Sequence, residues 1–315
     1  MERIIKMKLL VSGLYPIEGI EIAGFKSHFE DVDAKKLPKD LQNNYLYSPV
    51  AVIKLAFQKN GQASKILTFN KQIKIDEEEI PENLADFLVI ESEKLEKTLK
   101  LMTNINISFP AATIKIFDNN NGFIDSSAQS KDLFVQNNFN EFSNSDIQQL
   151  ISRLNMVINI DYIENFGEKN NRFKRAINFY FDSYNLTQID NKFVLLFSSL
   201  ESLFNLDKYK IKETISRRAS NLITFFNGSK SEKESIYANI KNLYNKRSQY
   251  IHGSEPEIIT KKDEKHLREI VRKVLLYYQR IASEYQITSP QKICKLIDEN
   301  DIEISDESKL FLSLL

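Results

Sequence analysis

Two periods of hydrophobic and polar positions divide the chain. In roughly the first 160 residues, short β-prone runs alternate with turn residues. Runs at 50–58 and 64–70 flank Asn60-Gly61, a strong hairpin signal. Further strands are predicted at 104–109 and 113–117, the second ending at Asn119-Asn120-Asn121-Gly122. Between the two pairs, Leu84, Phe87, Leu88, Leu95 and Leu99 mark one side of a helix over 81–102. Pro81 suits a first-turn position, and the acidic run Glu77-Glu78-Glu79 precedes it. A second helix is expected over 145–159. This half reads as a small α+β domain.

The period becomes helical near Asn165-Phe166-Gly167. Phe173, Ile177, Tyr180 and Tyr184 share a face, and Phe193, Leu196, Phe197, Leu200, Leu203 and Phe204 form a cleaner one. Ile211, Ile215, Leu222, Ile223 and Phe226 follow. Next come Ile236, Ile240, Leu243, Tyr244 and Ile251, then a long helix over 262–285 marked by Leu267, Ile270, Val271, Val274, Leu275 and Ile281. Five amphipathic helices with short connections make a bundle. The expected organisation is an α+β domain over 1–165, an all-α bundle over 166–287 and a helical tail over 288–315, in which 290–299 and 306–315 form short helices.

Composition narrows the function classes. The 315 residues are formally neutral, but residues 170–285 hold 21 Lys and Arg against 13 Asp and Glu, leaving 22 against 30 elsewhere. A basic part beside an acidic part suggests an anionic ligand or mutual attraction; an ordinary solvated surface is the plainer alternative. One cysteine, Cys294, excludes an internal disulfide and a cysteine-based zinc site, and three scattered histidines argue against a histidine metal cage. No glycine-rich nucleotide loop occurs among the eight glycines, so no cofactor is expected. The apolar N-terminal run 4–11 is interrupted by Lys6 and Lys8 and is too short for a membrane span. The chain reads as cytoplasmic, with no membrane partner.

Candidate chemistry sits where an arginine interrupts an apolar stripe. At roughly 100° per residue, Arg247 falls on the same side as Ile240, Leu243 and Tyr244. A guanidinium there keeps its charge, so it is paired or lines a cleft. Five residues on, His252 precedes Gly253. Arginine and histidine at a helix end suit phosphate chemistry. The structural alternatives are an Arg247 ion pair inside the bundle, with Glu201, and a His252 imidazole facing the last helical carbonyls.

Three segments of this half resemble the HEPN superfamily, in particular its Apea-like branch. Phe197-Ser-Ser-Leu-Glu201-Ser-Leu-Phe204 is similar to that branch's Leu-Glu-x-Leu helix, and Ile215-Ser-Arg217-Arg218-Ala219 to the next one. Leu243-Tyr-Asn-Lys246-Arg247-Ser248-Gln-Tyr250-Ile-His252-Gly253-Ser254 resembles the Arg-x4–6-His signature with its His-Gly ending. The resemblance covers residues 170–285. It implies a helical bundle that commonly forms homodimers and, in many members, a metal-independent endoribonuclease of antiviral defence, toxin or RNA-processing systems. Arg247 and His252 would then be the catalytic pair, with Ser248 orienting the arginine. One sub-branch carries a tyrosine two residues after the histidine; here Ser254 stands there, so control by modification of that tyrosine is not expected.

Metal-free RNA cleavage needs a base near the 2′-hydroxyl, an acid for the leaving 5′-oxygen and positive charge on the phosphorane. Histidine serves either proton role near neutral pH, and arginine supplies a fixed fork of donors. On one regular helix His252 points roughly 140° away from Arg247, so both cannot aim at one phosphate. Either Gly253 ends the helix and turns His252, or a second chain completes the site. Glu201 is expected as a structural partner. Arg217, Arg218, Lys246 and Tyr250 are candidates for holding RNA backbone and bases, against the alternatives of a solvated face and core packing. His266 and His28 read as surface residues, His28 in a loop-like acidic stretch. The leading expectation is an RNA-cleaving homodimer whose first domain recognises a target or a protein or ligand trigger, or restrains the nuclease until triggered. The rival is a non-catalytic scaffold of the same helices holding RNA, a nucleotide or a protein.

Overall fold

The computed structural model describes residues 2–12, 21–22, 24–31, 65–103, 108–118, 122–130, 160–206, 209–225, 228–253, 258–299, 305–306 and 308. Contacts divide the chain into two compact units, Met1–Val157 and Ile158–Leu315.

The first unit is an antiparallel sheet with a helix. Its strands are β1 (Glu2–Ser12), β2 (Glu21–Ile22), β3 (Phe25–Asp31), β4 (Lys65–Asp76), β5 (Ser108–Phe117) and β6 (Phe123–Ser130), in the spatial order β2-β3-β4-β1-β5-β6. The lysine-broken run 4–11 is therefore the central strand. Its odd positions Ile5, Met7 and Leu9 are buried, while Lys6 is exposed, the two-residue alternation of a half-covered sheet. Helix α1 (Leu84–Thr103) packs on β5 and β6 and buries Leu88, Leu95 and Leu99 with Ile114 and Ile116.

Several expectations for this unit shift. Helix α1 starts at Leu84 rather than Pro81, because the Asn83 side chain accepts from the amides of Ala85 and Asp86 at 3.0 and 3.3 Å and fixes the first turn. The two strands predicted over 104–117 are one, β5. Its pairing with β1 changes register between Leu10 and Ser12, opposite Pro110, as expected of a residue with no amide to donate. Strand β5 does end just before 119–122, where Phe117 pairs with Phe123 and the Asp118 amide donates to the Gly122 carbonyl. His28 is on β3, paired with Thr68 and hydrogen-bonded to the Asn70 amide, not in a loop. The runs 50–58 and 145–159, and Asn60-Gly61, lie outside the described residues.

The second unit is helical: α2 (Ile160–Lys169), α3 (Asn171–Asn185), α4 (Ile189–Phe204), α5 (Ile211–Thr224), α6 (Lys230–His252), α7 (Lys261–Glu284) and α8 (Pro290–Glu299). The unit begins before the predicted break. Gly167 lies within α2, and the chain turns at Asn170, whose side chain caps α3 through the Phe173 amide. Six side chains of α4 (Phe193, Leu196, Phe197, Leu200, Leu203 and Phe204) are fully buried. Burying each favours folding by about 1.5–3 kcal/mol.

Helix α7 packs against α3, α4, α5, α6 and α8 and is the centre of the bundle. It is opened by a reciprocal cap in which Thr260 and Asp263 each accept the other's backbone amide. Its predicted stripe is buried, and so are Arg268 and Arg272 beside it. Arg268 reaches Glu264 and the Ser183 hydroxyl and lies 4.0 Å from the Tyr184 ring centroid; Arg272 forks onto Glu269 at 2.7 and 2.9 Å. Helix α8 packs on α5 and α7, and so belongs to the bundle. The stretch 309–315 lies outside the described residues. The molecule is α+β, and no described helix is long and apolar enough to cross a membrane.

Candidate functional site

Helices α4 and α6 make the candidate site. The Phe197 and Tyr244 rings meet edge to face at 5.2 Å, fixing the Tyr244 side chain. The Tyr244 hydroxyl donates to Glu201 Oε1 at 2.9 Å. Burial, then the Glu201 charge and the hydrogen bond to it, push the Tyr244 hydroxyl up to about 12, so it remains a donor through the physiological range.

Arg247 stands one turn on from Tyr244. Its Cζ lies 5.5 Å from the Tyr244 ring centroid, and its Nη2 is 3.4 Å from either Glu201 oxygen. The side chain keeps 16% of its surface exposed, and that of Glu201 22%. The pair is long, and Nε of Arg247 is buried with no hydrogen-bond partner. An unsatisfied buried donor costs about 1–3 kcal/mol, so the guanidinium is oriented by Glu201 without being saturated by it. The ion pair with Glu201, one of the two readings raised by the sequence, is therefore present.

His252 is the last residue of α6 and is exposed. Gly253 follows at φ 71°, the left-handed position that ends a helix. The glycine stops the helix after His252 and does not turn His252 out of it, which corrects the first of the two geometric alternatives. The imidazole therefore leaves the helix roughly 140° around from Arg247. Within one chain the two side chains do not converge.

The other candidates separate. Ser248 is half-buried on α6. Tyr250 is half-buried, and its hydroxyl donates to Asn191 Oδ1 at 3.4 Å, tying the end of α6 to the start of α4. Lys246 reaches Asp263 at 3.1 Å, joining α6 to the cap of α7. Arg218 is a correction. It is buried, forks onto Asp298 at 2.8–3.2 Å and donates to the Phe204 carbonyl, so it clamps α8 to α5 and α4 and has no outward face for RNA. Arg217 is about half exposed and pairs with the same Asp298 at 2.9 Å. His266 is exposed.

Periodicity marks Tyr244 as a stripe residue, and the structure makes it the platform that joins Glu201 to Arg247. A hydroxyl-bearing aromatic one turn before a striped arginine was the available signal. Among the described residues no group of three His, Cys, Asp or Glu side chains is placed to hold a metal ion. Comparison with protein-family models, curated proteins and solved structures finds no match to this chain.

Proposed function

We propose that the helical unit is a metal-independent endoribonuclease in which Arg247 and His252 act from two copies of the chain. The observation that carries this reading is Arg247 itself, a permanent cation on a buried stripe, oriented by Glu201 and Tyr244 yet left with an unpartnered Nε. In a pair of chains each Arg247 would meet the His252 of the other, giving two imidazoles for the base and acid steps and two guanidinium groups for the phosphorane. Attack of the 2′-hydroxyl on the adjacent phosphorus would expel the 5′-oxygen, leaving a 2′,3′-cyclic phosphate and a 5′-hydroxyl. The Arg-x4-His sequence resemblance supports the same assignment. A defence or toxin role follows from that resemblance alone.

The 3.4 Å Arg247–Glu201 pair favours a second reading, a non-catalytic scaffold in which Glu201 already neutralises the arginine. Cleavage of mixed tRNA and mRNA in EDTA separates the two. The nuclease predicts EDTA-resistant cutting that falls at least about a hundredfold in His252→Ala and in Arg247→Ala, with folding unchanged. Equal products from wild type and both variants would sink it.

A further inference from the structure

The face of the sheet opposite α1 has, among the described residues, a composition that folding does not explain. Helix α1 takes the face of Ile5, Met7, Leu9, Ile114 and Ile116. The even positions of β1 point the other way, and register places their neighbours in rows. One row runs Lys74, Ile4, Phe117, Phe123 across β4, β1, β5 and β6; the next runs Gln72, Lys6, Lys115; the third, Asn70, Lys8, Thr113. Across β4, β1, β5 and β6 no acidic residue stands in these rows; the third continues through Lys26 on β3 to Glu21 on β2. Glu2 and Asp76, paired in the row beyond, bound the basic field on one side, and Lys26 faces Glu21 at its edge.

Lys6, Gln72, Lys74 and Lys115 are exposed, and Phe123 is 60% exposed. Lys6 and Lys115 stand directly opposite each other on neighbouring strands, a like-charge pairing that destabilises a sheet. The Lys6 ammonium lies 4.5 Å from the Phe117 ring centroid, and Phe117 and Phe123 meet edge to face at 6.1 Å. Cations that repel one another, beside an aromatic ring left in water, have a shared use if an anion with flat apolar parts covers both.

We infer that this open face, centred on Lys6, Lys115, Phe117 and Phe123, binds single-stranded RNA, with lysines on the phosphates and Phe123 stacked on a base. A single strand fits better than a duplex because the aromatic is reached only by an unpaired base. From Lys74 to Phe123 the face spans three strand spacings, roughly 14 Å, enough for two or three nucleotides. The inference does not rest on the nuclease reading.

The test is fluorescence anisotropy of the full chain with a labelled 12-nucleotide uridine strand carrying 2′-O-methyl groups. That probe cannot be cut by 2′-hydroxyl attack, so failure of either reading shows separately. The double variant Lys6→Gln, Lys115→Gln is expected to bind about tenfold more weakly. Its plot of log affinity against log salt is expected to be shallower by roughly 1.4, the value for two lost phosphate contacts on a single strand. Phe123→Ala is expected to lose about tenfold with the salt slope unchanged, and Phe123→Tyr to retain binding. The charge-matched control Lys230→Gln, Lys295→Gln, on exposed helix faces, should bind as wild type does. The assignment is overturned if wild type does not bind, if the sheet variants bind as wild type does, if the control loses as much, or if duplex RNA competes equally. Unchanged circular dichroism and melting in each variant keep the comparison one of binding.

Discussion

Asp263 shows how much one side chain joins in this molecule. Burial acts to raise its pKa, but hydrogen bonds from the Thr260 backbone and hydroxyl and from Lys246 outweigh burial and hold it below the ordinary 3.8. A carboxylate whose folded pKa is depressed stabilises the fold above its unfolded pKa and loses that contribution as pH falls through the folded one. Wild type is therefore expected to exceed Asp263→Asn by about 1 kcal/mol at pH 6, the size of a lost cap. The gap should close as the pH is lowered below 3.8, as read from thermal unfolding at stepped pH. A constant gap would mean that Asp263 acts through shape alone. At this scale the site was partly legible: a charged residue on an apolar stripe marked Arg247 and offered Glu201, 46 positions earlier, as its partner, but nothing local says that Tyr244 would join the two.

Elements are held by clamps as well as by stripes. Arg218 on α5 is buried against Asp298 on α8, 80 residues on. Removing the acid takes the Asp298 carboxylate from a buried guanidinium, so Asp298→Ala is expected to cost roughly 3 kcal/mol in denaturant unfolding, with Arg217→Ala under 1 kcal/mol. Equal, small losses would show α8 to be held by its apolar residues Ile293, Cys294 and Ile297 instead. The stripes of α3, α4 and α7 were legible because every third or fourth position repeats the same preference. Strands β3 and β6 were not. Phe-Ile-Asp-Ser-Ser-Ala-Gln-Ser carries no alternation, since β6 borders the sheet and its pairing to β5 is made by backbone groups that no side chain reports.

Two units with separate cores make up the whole molecule, and each has its own candidate contact with nucleic acid: the basic sheet face in one, the Arg247 helix in the other. With His252 and Arg247 on different sides of α6, a cleavage site built from one chain is geometrically incomplete. Mixing His252→Ala with Arg247→Ala chains under conditions of subunit exchange gives dimers with one His252 facing one Arg247, which are accordingly expected to recover a small part of the cleavage that each variant alone has lost, the second imidazole still being absent. Mixed dimers that remain inactive would rule out sharing of the site between chains.

The sequence by itself determined the α+β class, the change of period between the halves and the position of Arg247 on a stripe, because these depend on spacings of one to four residues that a helix or strand converts directly into faces. Tertiary structure alone decided that the lysine-broken N-terminal run is the central strand, that Arg218, Arg268 and Arg272 lie inside, and that Gly253 stops α6 only after His252. Burial depends on what other elements bring to the same place: Arg218 is stable inside because Asp298 comes from α8, while Arg268 and Arg272 take Glu264 and Glu269 from their own helix and are covered by the helices packed around it.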